Sequence, residues 1–173
     1  MSIRTTKSLD LALADEIASL AILTCGRNAF NPVAVCVMDP AGNEIVTKRM
    51  DGCPAIAYPA ISRAKANTCV AVKMSSRKYG DKYLKDKEGN PSASDAFPRV
   101  LNQISTMHGQ MAAFQGGVLI RDGEGDIVGS IGISGAAGDE DEYCGLKGVE
   151  LCSLGHSLIT EPAEHSCKTV KEG

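Results

Sequence analysis

The sequence predicts an α/β (α+β) fold in which helices lie on a central antiparallel sheet. Three observations carry this expectation. Apolar residues recur at helical spacing in well-separated stretches. Two pairs of Val/Ile-rich runs are each joined by a turn that contains glycine. The resulting order is helix, hairpin, helix, hairpin, helix. A chain of 173 residues fits one domain, taken as residues 1–158, followed by a polar tail over 159–173.

The first helix is expected over Leu9 to Cys25, with Ser8 as its cap and Gly26 at its end. Leu9, Leu13, Ile17, Leu20 and Ala21 fall on one face. Val33, Val35 and Val37 then alternate as a strand does, "DPAGN" turns the chain, and "EIVTKRM" returns as the second strand. Ala55 to Val72 is helical in composition, its regular part starting near Tyr58 to Ala60 because Pro54 and Pro59 are tolerated only at the beginning. Residues 75–98 are polar and punctuated by Gly and Pro, and read as a long connection; a short helix can start at Pro98. "GVLIRD" and "DIVGSIGIS", joined by "DGEGD", form the second hairpin, and the acidic run Asp139 to Glu142 opens the last helix.

Composition excludes several classes. A net charge of -3, with the one basic stretch interrupted by acids, argues against nucleic-acid binding. No uninterrupted apolar run has the length of a membrane span, and Asp10, Asp15 and Glu16 break the N-terminal one, so neither a membrane anchor nor a signal peptide is expected. Seven cysteines, without a CxxC pair and mostly inside apolar segments, fit reduced thiols in a cytoplasmic compartment.

Candidate chemistry gathers at a few places. Arg49 and Asp51 share a strand parity and precede Gly52, while Lys65 borders the buried stripe of the next helix. These three either line a pocket or form a structural ion pair. His108 stands in a glycine-containing loop, where an imidazole can act as acid, base or metal ligand, or remain an inert surface group. Gly129, Gly132 and Gly135 follow GxxGxxG rather than a nucleotide-binding spacing, and together with Gly116 and Gly117 they serve packing or bring backbone close to a ligand. The acids at 139–142 either complement the helix dipole or bind a hard cation.

Taken together, "VAVCVMDPAGNEIVTKRMDG", "AISRAKANTCVA" and "FQGGVLIRDGEGDIVGSIGISGAAGDEDEYCGLKG" resemble the GlcG/HbpS family, related to the C-terminal domain of PduO-type proteins, over roughly Leu9 to Leu154. The resemblance implies a profilin-like fold, assembly into dimers or larger homo-oligomers, and a pocket near the "RMDG" turn, the Gly-Gly segment and the glycine-rich strand. It further implies haem or another planar, carboxylate-bearing ligand. In that reading Arg49, Asp51, Lys65, Gly116 and Gly117 shape the pocket, with Met107, His108, Met111 and Phe114 contributing from the preceding loop. No axial ligand transfers to a numbered position, and the first helix has no histidine. An enzyme using His108 as acid or base, with Arg49 or Lys65 holding an anionic group, is the alternative; an assembly protein with a vestigial pocket is the third.

Overall fold

A computed structural model describes residues 6–86, 88–91, 96–153 and 156–171. Its elements are α1 (Leu11–Asn28), β1 (Ala34–Met38), β2 (Glu44–Arg49), α2 (Ala57–Val72), α3 (Ser76–Leu84), α4 (Ala96–Thr106), β3 (Gly117–Asp122), β4 (Ile127–Ser134), α5 (Gly138–Cys152) and β5 (Leu158–Glu161). The strands form one antiparallel sheet in the order β2-β1-β4-β3-β5. Both expected hairpins are present.

The sheet has a helical layer on each face, and strand alternation decides what each layer meets. Val35, Val37, Val118, Ile120, Ile131 and Ile133 point into the core shared with Ile17 and Ala21 of α1 and Cys144 and Val149 of α5. Cys36 and Met38 point the other way, against Ala66 of α2, and Leu119 meets Cys69 and Val70. β1 is therefore buried along its whole length. Gly132 lies under α2, where a β-carbon would strike the Ser62 carbonyl, so helix and strand can only meet this closely at glycine.

Four differences from expectation have local causes. Asp10, not Ser8, caps α1 by accepting from Leu13 N (2.8 Å), while Leu9 N donates to Val128 O (2.9 Å) and holds the helix entry against the sheet. α1 runs past Gly26 and ends at Ala29, whose φ of 56° closes the last turn. The polar connection holds α3, because Ser75 caps it through Lys78 N (3.2 Å) and Tyr79 is buried against Val100 and Met111. Finally, the tail contributes β5, which pairs Leu119–Asp122 with Leu158–Glu161.

The register gathers one set of strand ends. Ala34 faces both Arg49 and Ser134, and Gly117 faces Gly132. The "RMDG" bend, the Gly-Gly segment and the N-terminus of α5 thus share one end of the sheet.

Candidate functional site

At this end the fold buries a cluster of charges. Lys65, in the middle of α2, is 1% exposed, and its Nζ donates to Ile133 O and to Asp141 Oδ2, both at 2.7 Å. The Asp141 Oδ1 accepts from Ala136 N (3.0 Å), so one carboxylate satisfies both the ammonium and the turn entering α5. The Phe114 ring closes the last side, its centroid 5.1 Å from Nζ, a cation–π contact of about 0.5–2 kcal/mol. Gly116 makes room for this: at φ 111°, a β-carbon there would sit 2.6 Å from Nζ. Gly117 N donates to Ser76 Oγ (2.8 Å), which in turn donates to Phe114 O (2.6 Å).

Glu142 is fully buried beside this pair, and neither of its oxygens accepts a hydrogen bond from a described group. Its charge partner is Arg77 Nε, 3.2 Å from Oε2. Arg77 also donates to Glu164 O (2.9 Å). Burial pushes the Glu142 carboxyl up to about 7, against the pull of Arg77. Burial likewise raises Asp141 to about 6 and lowers the Lys65 ammonium, each opposed by the other's charge. Two carboxyls near neutrality beside two cations can exchange protons or hold a polar ligand group.

Of the residues singled out from sequence, Lys65, Phe114, Gly116 and Gly117 meet here. Arg49 is exposed at the same end of the sheet and donates from Nη1 to Cys53 O (2.7 Å), bracing its own bend; Asp51 is exposed in that bend and Gly52 takes φ 82°. Met107 and Met111 line a different feature, an apolar groove of about 370 Å³ between α3 and α4, with Tyr79, Tyr83 and Gln103. His108 is exposed, its φ of 53° belonging to the turn that ends α4. The next residues, Gly109 and Gln110, border a third cleft, of about 370 Å³, with Arg63, Asn67 and Glu44. Among the described residues, none of Arg49, Asp51 and His108 lines either of these two clefts.

Asp141, Glu142, Arg77 and Ser76 are the residues that sequence reasoning left out of the site. A signal existed for the first two: a lysine beside a buried helical stripe requires a counter-charge, and four consecutive acids exceed what one helix dipole uses. The run at 139–142 in fact divides, with Asp141 and Glu142 buried and Asp139 and Glu140 outside the core. Arg77 and Ser76 sit in the stretch read as a polar connection, where nothing in the spacing marks them as inward-facing.

The carboxylates that do converge on the surface are Asp122, Glu124 and Asp126 in the β3–β4 turn. Lys7 Nζ already occupies their midst, 2.6 Å from Asp122 and 3.0 Å from Asp126. No helix among the described residues is long and apolar enough to cross a membrane.

Comparison with known proteins agrees with this architecture. Klebsiella pneumoniae protein ORFY superposes with a TM-score of 0.72 at 20% identity, covering 88% of this chain and 96% of that one. A PduOC:heme complex gives 0.67 at 22% identity, over 83% and 94%. A double mutant of Streptomyces reticuli HbpS gives 0.67 at 24% identity, over 86% and 90%. At such identities these likenesses establish the fold. No curated protein matches the chain in sequence. The family model described as haem degrading protein HbpS-like matches residues 9–150, most of the chain. With its three-layer antiparallel architecture and its sequence in agreement, the chain belongs to the HbpS-like family.

Proposed function

We propose that the protein binds a small planar, carboxylate-bearing molecule, with haem as the first candidate. Membership of a family described as haem degrading carries this reading, and the similarity to a structure solved as a haem complex supports it. The donor set fits. The groove between α3 and α4 offers an apolar wall from Val72, Tyr83 and Met107, with a thioether and a phenol among its side chains. The His108 imidazole lies one residue from Met107 and is exposed. Thioether, phenolate and imidazole are all established haem-iron ligands. Met107 and Tyr83 would hold the group, with the His108 imidazole next to Met107 in sequence. Haem, when bound, supplies redox and oxygen chemistry.

The test is a spectroscopic titration with haem. An intense Soret band saturating at micromolar haem is expected, weakened at least tenfold in affinity by Met107→Ala combined with His108→Ala. No spectral change, or one indifferent to those substitutions, overturns the assignment.

A second reading is favoured by the buried carboxyls. Asp141 and Glu142, raised to about 6 and about 7, lie in the range where general acids and bases work best. In that reading the protein is an enzyme performing acid–base chemistry on a small anionic metabolite, with Lys65 or Arg77 balancing charge. A metabolite panel scored by turnover separates the two, since Glu142→Gln abolishes turnover in the second and spares haem binding in the first.

Homo-oligomeric assembly and a cytoplasmic location belong to the same proposal. Exposed Ile56, Phe97 and Leu101 provide apolar surface for subunit contacts. Native mass spectrometry reads subunit number and retained cofactor together.

A further inference from the structure

Two side chains connect the buried charges with the surface. Phe114 is half-exposed, and its ring centroid lies 5.1 Å from Lys65 Nζ. The Arg77 side chain is 24% exposed, and its Nε lies 3.2 Å from Glu142 Oε2. Both also line one cleft of about 260 Å³, between α3 and residues 113–115, with Asp81, Leu84 and Lys85. Helix and connection meet here at Gly80, where a β-carbon would sit 2.2 Å from Ala113 O. The cleft therefore lies over the charge cluster, with one of its own wall residues touching each buried group behind.

A second, independent observation concerns Glu142. It is wholly shielded from water, yet neither carboxyl oxygen accepts a hydrogen bond from a described group. Buried polar atoms in native folds are nearly always satisfied, because an unmet acceptor keeps its full desolvation cost. An ion pair kept for stability alone is expected to close with hydrogen bonds, as Lys65 and Asp141 do at 2.7 Å. Arg77 instead balances the Glu142 charge without satisfying the acceptor, while its Nη2 donates to Glu164 O (2.9 Å). Its guanidinium carries more donors than that carbonyl uses, and its planar fork matches a carboxylate.

We propose that this cleft binds a small monocarboxylate, whose charged end pairs with Arg77 in competition with Glu142 and whose body lies against Phe114. The lining sets the ligand class. Ala113, Leu84 and the Phe114 ring give the body apolar contact. Asp81 borders the same space, 2.6 Å from Lys85, so a second negative charge on the ligand would meet a carboxylate. That favours one carboxylate over a phosphate or a dicarboxylate. The volume lies below the range of about 300–1,000 Å³ usual for drug-sized ligands, which excludes a macrocycle and separates this site from the groove assigned to haem. The proposal deepens the acid–base reading and rests on it for what becomes of the ligand, though not for its binding.

The test is a titration of the isotope-labelled full chain with sodium butyrate, followed by the magnetic resonance of backbone amides and arginine side chains. Saturating shifts at millimolar butyrate are expected, centred on Arg77, Phe114 and Gln115 and absent with butyramide. Arg77→Gln should weaken binding at least tenfold. Glu142→Gln, which removes the competing charge, should tighten it severalfold. Shifts that do not saturate, that centre on another cleft, or that inorganic phosphate reproduces at equal affinity overturn the proposal. So does a folded Arg77→Gln that binds as the wild type does, or a folded Glu142→Gln that binds no better. The wild-type shift map needs no variant, and Arg77→Lys, which keeps the charge and loses the fork, should also weaken binding where Arg77→Gln folds poorly. Butyrate reports docking without turnover. Its failure to bind therefore sinks this proposal, whereas docking in a protein that turns over no metabolite sinks the acid–base reading alone.

Discussion

Lys65 has its ammonium buried and hydrogen-bonded to a carbonyl and a carboxylate, with the half-exposed Phe114 ring on its outer side. Removing one partner of such a pair strands the other charge, at a cost of about 3–5 kcal/mol. Lys65→Met is expected to lower the unfolding free energy by that amount in urea, and the double change with Asp141→Leu to recover part of it. Equal loss in single and double variants would mean that the cost is packing alone. Glu142 makes a pH prediction. Its folded carboxyl titrates at about 7 against an ordinary 4.5, so the native state holds a proton that the unfolded chain has released. The associated stability is fully present below pH 4.5 and is lost as pH rises through 7. The melting temperature should therefore fall between about pH 5 and pH 8, and Glu142→Gln should flatten that fall. An unchanged slope in the variant would assign the dependence to other groups.

At the scale of elements, the legible parts were those with a strong period or an obligatory turn. The two hairpins follow from alternating Val and Ile around "DPAGN" and "DGEGD", α2 from its helical composition, and α5 from the acidic run that opens it. α3 was hidden because its exterior is almost wholly charged and a few inward groups, Ser76, Tyr79 and Gly80, hold it. β5 was hidden because four residues are too few to show alternation, and its pairing partner lies far away in sequence. The same limit applied to the site. Lys65 and the paired glycines were singled out in the local sequence and Phe114 through the family resemblance, whereas Arg77 reaches Glu142 only through the packing of α3 against the body of the fold. The connection from α4 to β3 spreads its residues over three clefts: Gly109 and Gln110 at one, Met107 and Met111 at the second, and Ala113 to Gln115 at the third.

For the whole molecule, the antiparallel sheet closes with a strand that comes late in the chain. β5 follows every other element and covers the outer edge of β3 through Leu119 to Asp122. A nascent chain halted before residue 158 would carry an apolar strand with its hydrogen-bonding row bare, a template for another copy's strand. Truncation after Ser153 should thus convert a dispersed protein into sedimenting aggregate during synthesis. Supplying the missing segment as a separate peptide should delay that outcome.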